Sequence, residues 1–232
     1  ATSVDQYRQM GYLPDAIVNF LALLGWAPNS DQEIFSREEL IREFSLDHVA
    51  KNPAVFDIKK LNWLNAHYMR QLSDEDYVAF AVPFMKKAGY MTGEETGEKL
   101  EWLKKVILTA RDQAEFGKEI PEKVALYFTD AFDFETPEAE AVLKEETVPQ
   151  VMGLFLEKLA AAENLDHAST KALFKAVQKE TKLGGKKVFM PVRVALTGNQ
   201  HGPELAEMIP LLGKERTAAR IRGSLAKAGV SL

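Results

Sequence analysis

Nine basic residues stand between Thr181 and Leu232 against three acidic ones, Glu204, Glu207 and Glu215. This segment carries a surplus of six positive charges in a chain whose net charge is −5, which leaves the first 180 residues at −11. A basic end on an acidic body can steer a polyanion to one surface. The same side chains also suit the solvated outer face of an amphipathic helix. Charge alone leaves both readings open.

Covalent and metal chemistry finds less support. The sequence has no Gly-x-Ser-x-Gly elbow and no dinucleotide fingerprint. Outside the Gly184-Gly185-Lys186 turn, the Gly-Lys pairs are Gly117-Lys118 and Gly213-Lys214. Both are followed by Glu, where a phosphate-binding loop needs Ser or Thr for magnesium. His48, His67, His167 and His201 lie far apart and lack metal-ligand spacing. Adjacent acids such as Glu94-Glu95 and Glu145-Glu146 diverge around a helix and are read as solvated. The residue types describe a binding module.

The elements that position these side chains are nearly all helical. Pro14 suits a first helical position, where a missing N–H has no intrahelical partner, and Asp15 complements the positive end of the helix dipole. Ala16, Ile17, Phe20, Leu21 and Leu24 then form one apolar face, with Gly25 placed as the stop. Ser36-Arg37-Glu38-Glu39 is a capping box, and Asp57 caps a helix on which Leu61, Leu64 and Tyr68 recur. Ser73 and Thr136-Pro137-Glu138 open two more, Gly184-Gly185 closes the segment beginning near Ser169, and Gly213 separates the last two. The one strand-like run, Lys186 to Met190, is interrupted by Pro191. Trp26 and Trp63 lie in apolar runs and are expected in the core. Breaks fall at Arg70-Gln71-Leu72-Ser73 and at Asp133 to Glu138, and no internal repeat occurs.

Composition sets the outer limits. At 232 residues, with 46% hydrophobic and 27% charged residues, this is an ordinary globular composition with space for one large domain or two to three small ones. Cysteine is absent, which removes disulfides and thiolate metal sites. No apolar run approaches the roughly 20 residues of a membrane span, and Ala1 to Gln6 is unlike a signal peptide. A cytoplasmic location is expected, with neither DNA nor membrane as partner.

Three runs carry more than physics. They are Gly11 to Trp26 (GYLPDAIVNFLALLGW), Asn52 to Asn65 (NPAVFDIKKLNWLN), and a C-terminal set: Pro191 to Gly198 (PVRVALTG), Gly202-Pro203-Glu204-Leu205 and Leu211 to Arg216 (LLGKER). In this order and at these separations they resemble the part of bacterial glutamyl-tRNA synthetase that follows its catalytic domain. Between Thr92 and Gly184 the likeness rests mainly on Ile120-Pro121-Glu122-Lys123. The resemblance implies an all-α chain: a helical stem-contact domain at 1–73, then a helical anticodon-binding domain of two subdomains at 74–135 and 136–232. The family's Lys-x-Ser-Lys-Arg loop is not in the sequence, so the chain is read as the C-terminal portion of a synthetase, inactive by itself. ATP and magnesium then belong to the catalytic domain, and no cofactor is expected in these residues. The implied partner is the tRNA for glutamate, bound by a monomer.

The resemblance also implies roles. Arg193 matches an arginine the family applies to the anticodon, and a guanidinium fork suits a base edge. The His201-Gly202-Pro203 turn, leading into Leu205, matches a loop that packs against an anticodon base. Pro203 is expected to start a helix with free N–H groups. Gln113, counted back from Ile120, falls where enzymes strict for glutamate carry an arginine that reads the third anticodon base. A neutral amide there would relax recognition and admit the tRNA for glutamine. A register two residues different places Arg111 at that point. Lys60 and Arg70, with Lys59 read as solvated, are implied contacts to tRNA phosphates, which position RNA without reading it. A helical protein-interaction module of synthetase ancestry and a standalone RNA-binding regulator are the competing readings.

Overall fold

The computed structural model describes residues 3–51 and 54–232. Asn52 and Pro53 of the second motif lie outside the described residues. Among the described residues there are thirteen α-helices, three short 3-10 helices and no strand; one isolated bridge joins Trp26 to Val49. The all-helical expectation holds, and the run from Lys186 to Met190 is helical. Two compact units result, 1–124 and 125–232.

In the first unit the helices are α1 (Val4–Met10), α2 (Pro14–Leu23), α3 (Arg37–Glu43), α4 (Ile58–Gln71), α5 (Asp74–Lys87), α6 (Gly97–Leu108) and α7 (Ile120–Val124). Pro14 occupies the first turn of α2, Ser36 and Glu39 cap each other reciprocally, and Asp57 accepts from the Lys59 and Lys60 amides. Helix α2 lies on α4, bringing Phe20 against Leu61, Leu64 and Tyr12. Leu21 departs from expectation at 51% exposed, because Ala16, Asn19 and Phe20 take the inward face instead. Trp26 is core, packed with Phe35 and Leu40, whereas Trp63 is 44% exposed. Leu61, Leu64, Asn65 and Met69 form the buried stripe of α4, and Trp63 falls outside it.

Two fully buried asparagines brace this unit. Asn19 donates to the Glu33 carbonyl and accepts from the Phe35 amide and the Tyr68 hydroxyl. Asn65 accepts from the Leu13 amide and donates to the Gly11 and Glu115 carbonyls. Close by, Gly11 (φ +88°) and Gly117 meet backbone to backbone; a Cβ on Gly11 would lie 2.5 Å from the Gly117 backbone. Gly25 does not stop α2 through a left-handed turn; its carbonyl accepts from the Ala50 amide. Glu95 is not merely solvated either. It accepts from the Thr92 and Gly93 amides, and these bonds pull its carboxyl down to about 2.

The second unit holds α8 (Pro137–Leu143), α9 (Val148–Ala161), α10 (His167–Thr181), α11 (Gly185–Thr197), α12 (Leu205–Leu212) and α13 (Lys214–Lys227). Helix α11 is central and packs against α8, α9, α10 and α13, burying Val188, Val192, Val194, Ala195 and Leu196. Gly184 caps the start of α11, and α10 is closed instead by Lys182 in a left-handed conformation (φ +58°). The expectation that Gly184-Gly185 closes α10 is thus corrected, because glycine serves either end of a helix. Gly213 separates α12 from α13 as expected. The segment between Asp133 and Glu135 is fastened to the C-cap of α11: the Glu135 amide donates to the Gly198 carbonyl at 3.0 Å.

Candidate nucleic-acid interface

Arg193 projects from α11, which is held by neighbours on its other sides. The side chain is partly buried, and its Nη1 donates to the Pro203 carbonyl at 2.8 Å. Burial lowers its pKa from the usual guanidinium value. Among the described residues no carboxylate pairs with it, so the charge is partly desolvated and uncompensated. Gly202 adopts φ +144°, and a Cβ there would lie 3.4 Å from the Arg193 guanidinium. The backbone angle is what favours glycine here, since the contact with the arginine would be an ordinary van der Waals one.

The structure therefore brings Arg193, Gly202 and Pro203 together. Helix α12 starts at Leu205 with Glu204 as its N-cap residue, two positions later than the sequence implied. Pro203 contributes its carbonyl, and Leu205 is 2% exposed and anchors the turn from beneath. Glu204 faces α10, where it pairs with Lys171 at 3.0 Å and His167 at 3.4 Å; the Lys171 hydrogen bond lowers its pKa.

Gln113 lies in the first unit, and its amide nitrogen donates to the Thr109 carbonyl at 2.9 Å. Arg111 is committed elsewhere: it pairs with Asp74 at 2.7 Å and sits over the Tyr77 ring at 5.1 Å. Lys60 pairs with Glu33 at 2.5 Å on α4, and Arg70 is exposed in the last turn of that helix. Among the described residues no hydrogen bond or ion pair joins Gln113, Lys60 and Arg70 to one another.

Reading the basic C-terminal end as one polyanion surface misses a division of labour along α13. Arg220 is buried. Its guanidinium donates to the carbonyls of Leu126, Thr129 and Leu196 and pairs with Asp130 at 2.8 Å. Arg216 reaches the same Asp130 at 2.6 Å and the Tyr127 carbonyl, while Lys227 holds Asp133 and the Phe132 carbonyl. Hydrogen bonds from Arg216 and then Arg220 hold the Asp130 carboxyl below its ordinary pKa. These three cations clamp the 126–133 segment beside an open cleft of about 570 Å³. No sequence signal marked the clamp, because its acceptors are backbone carbonyls some 90 residues earlier.

The profile of the family described as "Anticodon binding domain" matches residues 76–225, which include Arg193, its glycine turn and Gln113. The chain belongs to the anticodon-binding-domain family. Residues 1–63 match "tRNA synthetases class I (E and Q), catalytic domain". The glutamate–tRNA ligase of Desulforamulus reducens is 48% identical over 97% of this chain and 47% of its own length. That of Bacillus subtilis is 43% identical over 94% and 45% respectively. A crystal structure of a glutamate tRNA ligase from Elizabethkingia meningosepticum, in complex with its amino acid, superposes with a TM-score of 0.81 at 28% identity, covering 96% of this chain and 43% of that one. The chain thus spans about half the length of the glutamate–tRNA ligases it matches.

Neither the Gly117-Lys118 nor the Gly213-Lys214 pair forms a phosphate cradle. A Cβ on Gly117 would lie 2.4 Å from the Phe84 ring, and the Gly213 amide is held by the Ile209 carbonyl. Among the described residues no group of three or more His, Asp or Glu is placed to hold a metal, and no helix is long and apolar enough to cross a membrane.

Proposed function

We propose that this chain docks the tRNA for glutamate and reads its anticodon, while the rest of the ligase attaches glutamate to the acceptor end with ATP and magnesium. The observation that carries this reading is Arg193. It lies inside the matched anticodon-binding domain, partly desolvated, unpaired by any described carboxylate and steadied by a single bond to the Pro203 carbonyl. Anticodon bases are unstacked, so their edges are open to such a fork. Gly202 and Pro203 supply the turn, and Leu205 anchors it.

The stem-contact domain corresponds to 1–73, with the anticodon-reading subdomains at 74–135 and 136–232. Lys60 and Arg70 meet tRNA phosphates from the first of these and set position rather than sequence. Gln113 offers an amide where a strict reader offers a guanidinium, which widens acceptance to the tRNA for glutamine. The chain acts as a monomer.

The deciding experiment measures binding of the chain to tRNA for glutamate and to anticodon-substituted versions at one fixed salt concentration. Preference for the native anticodon, lost in Arg193→Gln by about tenfold or more, supports the reading. Equal affinity for every version overturns it.

A further inference from the structure

Helix α11 presents more than Arg193 on its outward face. Residues 186, 189, 190 and 193 are spaced so that they share one side of the helix, opposite the buried Val188, Val192 and Ala195. Phe189 is 38% exposed, whereas the ring beneath it, Phe174, is 1% exposed. The two rings stack with centroids 4.5 Å apart and planes 25° from parallel. One face of Phe189 is thereby covered and its plane fixed, and the exposure belongs to the other side. Gly185, one turn earlier, lies beside that ring; a Cβ there would sit 3.6 Å from it, at ordinary contact, and 3.1 Å from the Gln178 side chain. Lys186 is exposed, and among the described residues it has no carboxylate partner.

We propose that Phe189 is a stacking platform for an unpaired RNA base next to the one met by Arg193, with Lys186 pairing the adjoining phosphate. An open aromatic face between two uncompensated cations matches a nucleotide, whose base stacks and whose phosphate is anionic. Every base has such a face, so the platform adds affinity without reading identity. The inference rests on the anticodon-reading proposal and deepens it.

The test uses the full chain and an anticodon stem-loop RNA carrying 2-aminopurine at each unpaired loop position in turn. One position is expected to be quenched on binding. Phe189→Leu, which keeps an apolar contact with Phe174, abolishes that quench and weakens binding about tenfold. Preference for the native anticodon persists in this variant, and Phe189→Tyr restores quench and affinity. Lys186→Gln lowers the slope of log affinity against log salt by about 0.7. If Phe189→Leu binds as tightly as the parent with the same quench, while Arg193→Gln still loses anticodon preference, the platform alone is overturned. If the parent chain shows no anticodon preference, the reading of Arg193 falls and the platform with it.

Discussion

The side-chain amide of Asn65 donates to the Glu115 carbonyl at 2.7 Å across 50 residues of sequence, while its oxygen accepts from the Leu13 amide at 2.8 Å. One buried side chain thus joins the entrance of α2 to the loop that follows α6, close to Gln113. Tyr12 adds to the joint by stacking on Phe116 at 5.2 Å and donating to Asn62. Burial raises the Tyr12 pKa to about 12.

Asn65→Leu keeps the volume and removes every hydrogen bond. The Leu13 amide and the Glu115 carbonyl, both in part-buried bonds, then lose this partner, which costs roughly 1–3 kcal/mol for each group left unsatisfied. A destabilisation of at least about 2 kcal/mol is expected in urea unfolding, with the slope of the transition unchanged.

The glycine contact makes a sharper comparison. Gly117→Ala drives a Cβ to 2.4 Å from Phe84, whereas Gly89→Ala, at φ +79°, meets nothing within 4 Å. The first substitution carries an overpacking cost of about 1–3 kcal/mol. The second carries only backbone strain of roughly 1–2 kcal/mol. Thermal unfolding of the two variants should rank Gly117→Ala as the more damaging.

Arg220→Lys tests the clamp. A lysine keeps the charge but cannot reach three carbonyls and Asp130 in one plane. The expected loss is about 3 kcal/mol, in the range for breaking a buried charged network. Arg216→Lys, on a partly exposed side chain, should cost much less.

Acid should weaken the same clamp. Asp130 and Asp133 both have pKa values below the ordinary carboxylate value in the folded chain, through Arg216 with Arg220 and through Lys227 respectively. A depressed folded pKa contributes stability that is fully present above the unfolded value, near 3.9, and is lost as pH falls through the folded value. Unfolding free energy should therefore decline as the pH drops below about 4. In Asp130→Asn the decline should be shallower and the starting stability lower.

Gln113→Arg should sharpen discrimination between the tRNAs for glutamate and glutamine. A correctly placed guanidinium is worth about 1–3 kcal/mol at a base edge, so the affinity ratio should rise about tenfold. Arg111→Gln should instead lower stability, because Arg111 is engaged with Asp74 and Tyr77, and leave that ratio unchanged. Paired binding titrations of the two tRNAs separate these outcomes.

Much of this architecture was legible in the sequence because its signals are local. Ser36 with Glu39, Asp57, Ser73 and Pro14 each satisfy or avoid orphan amides within one helical turn, so a short window of sequence contains the whole interaction. Relatedness was legible for a similar reason, since three runs of residues kept their order and separation. What the sequence could not supply is where a side chain's partners lie when they are backbone groups far along the chain. Arg220 and Arg193 have the same chemistry, yet one is consumed by the carbonyls of the 126–133 segment and the other keeps an open, uncompensated charge. Trp63 and Leu21 look apolar and therefore internal, yet packing of α2 on α4 selects other residues for the interior. Those choices depend on which faces meet, and only the tertiary structure decides that.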